Sequence, residues 1–298
     1  MEWTPGGPSD DIEDRRDQSG AGGDSGGGGF GGIHLGIGGM IVVGILSLVF
    51  HQNFFALLSG GRGVAPSAVP MAPRSAAPNR ALDAREKPEV DFVTAVLNDI
   101  QASWTKILPD QANRPYRHAK LVLYRDAWPS GCGQAESATG PFYCPEDEKV
   151  YLDLGFFAEL KQKFGAPGEF AQSYVIAHEI GHHVQKILGI EAKMRQLQEQ
   201  NPRNANPLSV RLELQADCFA GIWANFTEDR MKIDEKDISS ALQAAAAVGD
   251  DRLQQMAGRR VSPESFTHGS SAQRTSWFRK GLQTGQIEAC NTFQTVRP

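Results

Sequence analysis

From Phe30 to Gly61 the chain carries no Asp, Glu, Lys or Arg, and the run GMIVVGILSLVF lies inside that gap. Residues 33–58 are enough to cross a hydrocarbon core of about 30 Å, which takes about 20 residues of helix. Both flanks are of low complexity. Residues 1–32 are acidic and then glycine-rich, as in SGAGGDSGGGGFGG. Such a tract buries too little apolar surface to offset the entropy of ordering, so disorder is expected there. Residues 59–88, rich in Pro, Ala and Ser, read as a semi-extended tether rising about 3.1 Å per residue. A globular domain is thereby confined to residues 89–298. For residues 33–58 a buried helix and a cleaved signal peptide are the alternatives. The long acidic leader, and an apolar run exceeding a signal's about 7–15 residues, favour one uncleaved transmembrane helix. Gly32 and Gly36 have the spacing of a helix-dimer face, which by itself leaves the oligomeric state open.

The formal net charge of -5 gives no basic footprint for nucleic acid, and no nucleic-acid module is present. Arg15 and Arg16 precede the apolar stretch while Arg62 and Arg74 follow it, so the positive-inside count is close to a tie. The four cysteines, Cys132, Cys144, Cys218 and Cys290, all fall after it. An even number in the large domain suits an oxidising compartment. Of three formal pairings, Cys132 with Cys144 and Cys218 with Cys290 is the favoured one; four reduced cysteines facing the cytosol are the alternative.

Within the domain, Phe92, Val96, Ile100, Trp104 and Ile107 recur at helical spacing and predict an amphipathic opening helix. AKLVLYR and EKVYLDL, rich in β-branched and aromatic residues, predict strands. Helices are expected over FFAELKQKF, residues 168–188, SVRLELQADCFAGIWANF, EKDISSALQAAAAV and SSAQRTSWFRKGLQTG. Few strands followed by many helices make the fold class α+β, mostly helical with a small sheet.

Three of the seven histidines fall in AHEIGHHVQ, residues 177–185. On a helix His178 and His182, at i and i+4, project from one face and can reach one zinc ion at about 2.0–2.1 Å. Glu179 is rotated about 100° from His178, where its carboxylate reaches a water held by the metal. His183, at i+5, lies on another face and is expected to support the site from behind or to meet solvent. Val175, Ile176, Ile180 and Val184 bury one flank of the helix, and Gly181 leaves room for a close neighbour. Histidines on so embedded a helix want partners.

A catalytic zinc needs a third protein ligand and an open fourth place. LELQADCFAG offers Glu213 and Asp217, again at i and i+4, among apolar neighbours. Glu213 as ligand, with Asp217 bonded to the far nitrogen of a ligand histidine, accounts for both buried acids. A plain ion pair is the alternative.

HEIGHHVQ, ELQADCFAG and FTHGSSAQR, with GPFYCPEDEKVYLDL upstream, resemble the neutral zinc metallopeptidases of bacteria, single-pass proteins with a glycine-rich N-terminus. The resemblance covers nearly the whole chain after the leader. It implies a zincin-like domain, one Zn2+ ion, a peptide or protein substrate, and an inner-membrane anchor; the cysteines are what place the domain on the periplasmic side. The spacing of Glu213 and Asp217 is also similar to the gluzincin arrangement of CAAX-protease and heat-shock membrane peptidases. In those a later histidine and arginine assist at the transition state; His268 and Arg274 stand in that position. His268 could equally cap a surface helix, and Arg274 could be a surface ion-pair partner. The strand from Val150 to Asp153 is expected either to offer an edge to substrate or to lie in the core. The reading from another class is a tethered binding protein with a structural zinc; a zinc hydrolase of non-peptide amides is a further rival.

Overall fold

Phe92, Val96, Ile100, Trp104 and Ile107 form one stripe of a helix, and each is buried. That stripe anchors α1 (Arg80–Ala112), the first helix among the described residues; the computed structural model describes residues 1–5, 7–18, 80–166 and 168–294. The transmembrane expectation for residues 33–58 and most of the tether lie outside the described residues. Among the described residues no helix is long and apolar enough to cross a membrane.

Two expected boundaries move. The domain begins in Arg80–Ala112 rather than at residue 89. Pro88 marks no boundary, because ALDAREK before it is made of good helix formers and Arg125 holds Asp83 at 2.8 Å and Glu86 at 2.5 Å. The acidic leader, expected to be disordered, is ordered over residues 1–5 and 7–18. Its charges meet opposite charges on the domain, a source of order that composition does not reveal.

Among the described residues six strands follow chain order: β1 (Ile12–Asp14), β2 (Lys120–Tyr124), β3 (Ala127–Ser130), β4 (Gly133–Glu136), β5 (Phe142–Cys144) and β6 (Lys149–Asp153). One mixed sheet has the order β1-β2-β6-β5, with β1, β2 and β6 parallel and β5 antiparallel to β6. β3 and β4 make a separate antiparallel hairpin. The strand at Val150–Asp153 is therefore internal, and the edge beside the helices is β5.

The helices after the sheet are α2 (Gly155–Gln162), α3 (Glu169–Ile187), α4 (Ile190–Gln200), α5 (Ala205–Thr227), α6 (Glu235–Ala247), α7 (Asp250–Met256) and α8 (Ser271–Thr284). α3 and α5 run through the middle of the core, where Phe170, Tyr174, Ile180, Phe219 and Trp223 are almost wholly buried. α5 and α8 pack at backbone contact: a Cβ on Gly281 would overlap the carbonyl of Cys218. Disulfides join Cys132 to Cys144 and Cys218 to Cys290. The first ties the β3–β4 hairpin to β5, and the second ties the end of the chain to α5.

Candidate metal centre

The site grows from one helix face. α3 is apolar on the flank carrying Tyr174, Ala177 and Ile180, which fixes it in the core and turns His178 and His182 toward α5. Their rings stand 4.9 Å apart and nearly perpendicular, at 89°. Glu213 on α5 meets both. Its Oε2 lies 3.2 Å from His178 Nε2, and its Oε1 lies 3.6 Å from His182 Nε2. One ligand atom from each of the three lies within 4.8 Å of the others. This is the only such group of His, Cys, Asp or Glu among the described residues.

The far nitrogens of both rings are taken. His178 Nδ1 donates to Asp217 Oδ1 at 2.9 Å, and His182 Nδ1 donates to Gln185 Oε1 at 2.9 Å. Gln185 is held in turn, donating to the carbonyl of Leu212 at 2.7 Å and to Gln215 Oε1 at 3.1 Å. With each Nδ1 held as a donor, each Nε2 faces Glu213 and is the nitrogen whose lone pair a metal ion would take once the ring is neutral. Two imidazole nitrogens and one carboxylate converging from two helices fit a divalent ion of the zinc type with a fourth place left for water or substrate.

Behind the histidines sits a buried ionic knot. Asp217 is fully buried, and its carboxylate receives Arg274 Nε at 2.9 Å, Arg274 Nη2 at 2.9 Å and the Tyr174 hydroxyl at 2.5 Å. Arg274 Nη2 also lies 4.0 Å from Glu213 Oε2. Burial alone would raise the Asp217 pKa, but the Arg274 and His178 charges outweigh it and hold the carboxyl below its usual range. Burial likewise opposes a proton on His178, yet the Asp217 charge and the hydrogen bonds to Asp217 and Glu213 raise its pKa to about 10. A divalent ion would replace that proton, since imidazole ligates in its neutral form. Glu213 is also buried against its charge, and His182 and His178 pull its pKa down.

Glu179 is 8% exposed. Burial raises its pKa, and Glu213 adds to the rise, against the opposing pull of His178, His182 and a hydrogen bond from the backbone N–H of Tyr143. A carboxyl raised in this way sits closer to neutral pH, where a group that takes and returns a proton works best. Tyr143 makes a second contact with α3, through its hydroxyl and His183 Nδ1 at 2.9 Å. His183 Nε2 donates to the Arg117 carbonyl at 2.8 Å. His183 is thus fully buried, not a solvent residue; it fastens the helix to β5 and to the chain leading into β2.

His268 is buried, and it is among the groups that pull the Glu213 pKa down, after His182 and His178. It does not cap α8; Ser270 does, in a capping box with Gln273. The loop bearing His268 is held by Asp250, whose Oδ2 accepts the backbone N–H of Thr267 at 2.7 Å, His268 at 2.7 Å and Gly269 at 3.1 Å. Asp250 Oδ1 faces His268 Nδ1 at 3.2 Å.

The structure brings His178, Glu179, His182, Glu213, Asp217, His268 and Arg274 to one locality. Sequence reasoning missed Tyr174, Gln185, Tyr143 and Asp250. The spacing of Tyr174 and Gln185 from the histidines, four residues before His178 and three after His182, carried a usable signal. Tyr143 and Asp250 carried none, because only tertiary folding brings them near.

Comparison with known proteins agrees with this donor set. The family model described as "Putative neutral zinc metallopeptidase" matches residues 1–293. The chain is 45% identical over 298 residues to the Escherichia coli K12 protein YpfJ, covering 98% of this chain and 99% of that protein. It is 43% identical over 215 residues to Rv2575 of Mycobacterium tuberculosis H37Rv, covering 68% of this chain and 70% of that protein. Neither name states an activity, and no solved structure matches. With nearly its whole length matched by the family model, the chain belongs to this neutral zinc metallopeptidase family.

Proposed function

We propose that the chain is a zinc-dependent peptidase in which Glu179 moves the proton of the attacking water. The observation that carries the reading is the convergence of His178 Nε2, His182 Nε2 and a Glu213 oxygen beside a buried carboxylate that is not needed as a ligand. Bound there, zinc supplies Lewis acidity and brings water within reach of deprotonation at neutral pH. Glu179 takes a proton as the water oxygen bonds to the peptide carbonyl carbon. It returns that proton to the amide nitrogen as the C–N bond breaks, leaving a carboxylic acid, which keeps the other water proton, and an amine. His268, with Nδ1 held by Asp250, has Nε2 for the oxyanion; loss of one such donor costs about 10²–10³ in rate. Arg274 acts through Asp217 on the orientation of His178.

For substrate, the outer edge of β5 is the candidate docking edge, since the backbone N–H of Tyr143 on that strand is among the groups that lower the Glu179 pKa. An extended peptide added to this edge would bring a carbonyl to the site by strand pairing. The two disulfides support an oxidising, extracytoplasmic setting for the domain.

The test is peptide hydrolysis by the wild type and by Glu179→Gln, with and without chelator. The reading expects zinc to stay bound in the variant while turnover is lost. Cleavage at the wild-type rate by Glu179→Gln would contradict it, and zinc binding without hydrolysis of any peptide would favour a tethered binding protein.

A further inference from the structure

Residues 1–5 and 7–18 are built into the domain. β1 extends the sheet beyond β2, with Ile12 opposite Leu121 and Asp14 opposite Leu123. Leu121 N–H donates to the Asp11 carbonyl at 2.7 Å, and Arg15 N–H donates to the Leu123 carbonyl at 2.8 Å. Side chains fix the register at almost every position. Asp11 meets His118 at 2.6 Å and Lys120 at 3.1 Å, and Glu13 meets Lys149 at 2.8 Å. The Arg16 side chain, only 7% exposed, bridges Asp14 at 2.7 Å and Glu86 at 2.6 Å. Upstream, Ser9 Oγ donates to Asn98 Oδ1 at 2.7 Å, and Trp3 packs edge-on against Phe92 with centroids 5.4 Å apart.

These partners come from α1, β2 and β6, so the arm touches three separate elements of the domain. A slip of one residue would turn every side chain to the wrong face. Without the arm, β2 would be an open sheet edge, a surface that proteins keep covered. The arm is thus a strand of the fold.

Between it and α1 lies the stretch from Phe30 to Gly61 that has no Asp, Glu, Lys or Arg. A single membrane crossing would put about 30 Å of hydrocarbon between the arm and the domain. Paired strands stand about 4.8 Å apart. The two arrangements exclude each other. We infer that residues 1–5 and 7–18 and residues 80–166 and 168–294 occupy the same side of any membrane that holds the chain. The arrangement expected from the sequence, with a leader on one side and the domain on the other, would strip β1 from β2. The inference is independent of the peptidase reading, because it uses no residue of the metal centre.

The test uses the full chain in the membranes of a bacterial host, with one engineered thiol at a time: Gln18→Cys in the arm and Gln283→Cys in α8. Both positions are exposed, and all four native cysteines are paired, so the new thiol gives the signal. A membrane-impermeant maleimide applied to intact spheroplasts is expected to label both positions equally, or both only after permeabilisation. Labelling of one position with protection of the other overturns the inference. A second measurement needs no substitution. Carbodiimide coupling in the same membranes is expected to join Glu13 to Lys149, as it joins the helical pair Lys87 and Asp91, which are 2.5 Å apart. Recovery of the helical crosslink without that between Glu13 and Lys149 also overturns it.

Discussion

Gly181 of α3 and Ala216 of α5 meet backbone to backbone: a Cβ on Gly181 would stand 2.9 Å from the Ala216 carbonyl oxygen and 3.1 Å from its Cα. Gly181 lies between His178 and His182, and Ala216 lies between Glu213 and Asp217, so this contact sets the separation of the two helices that supply the ligand set. Gly181→Ala is predicted to destabilise the domain by about 1–3 kcal/mol, the usual cost of overpacking. Because the helices must part, zinc affinity is predicted to fall as well. Denaturant unfolding and competition with a chromogenic chelator measure the two effects separately.

Asp217 and Arg274 make a buried, doubly hydrogen-bonded pair that also orients His178. Asp217→Asn leaves Arg274 buried beside a neutral group, at a cost of about 3–5 kcal/mol. It also weakens the support of His178, for which a loss of about 10–100-fold in zinc affinity is expected. Adding Arg274→Met to Asp217→Asn is predicted to restore part of the stability and none of the affinity, because the orphan charge goes while the imidazole stays unsupported. Recovery of both would show that the pair acts on the fold alone.

Asp250 is a pH-sensitive part of the scaffold. Burial raises its pKa, but His268 and the backbone N–H groups of the loop outweigh that and hold it below the ordinary value of 3.8. Its stabilising contribution is therefore present above the unfolded value and is lost as pH falls through the depressed folded one. Asp250→Asn is predicted to flatten the acid limb of the stability curve in that window. It is also predicted to lower kcat with zinc content unchanged. Equilibrium unfolding between about pH 2 and 6 reads the first effect, and steady-state kinetics read the second.

The disulfides close loops of different size. Cysteines 218 and 290 are separated by 72 residues and cysteines 132 and 144 by 12. Chain entropy predicts stabilisation of about 4 kcal/mol for the longer loop and about 3 kcal/mol for the shorter. Replacing Cys218 and Cys290 by alanine should therefore lower the thermal midpoint more than the same change at Cys132 and Cys144, as calorimetry would show.

The helices that carry the site were legible because each has a strong apolar period with chemistry-bearing residues on one face. α3 and α5 fall close to where the pattern puts them, and the spacings of His178 with His182 and of Glu213 with Asp217 pointed to residues that the structure brings together. The hairpin of β3 and β4, and the strand β5, were not legible: AWPS, GQAE and FYC are too short to show a period. β5 could be recognised as an edge only once β6 was found inside the sheet. The leader misled for a different reason. Glu13, Asp14 and Arg16 look like a solvated charge run until their partners Lys149 and Glu86 are in place. Asp250 escaped notice because its role depends on a loop eighteen residues later in the chain.

The central claim is that two imidazoles from α3 and one carboxylate from α5 hold a single metal ion. Zinc analysis of the purified chain and of two variants tests it most directly. The account predicts about one zinc per chain in the wild type and in Glu179→Gln, and loss of the metal from Glu213→Ala with the fold retained by circular dichroism. Zinc bound equally well by Glu213→Ala, or released by Glu179→Gln, would contradict it.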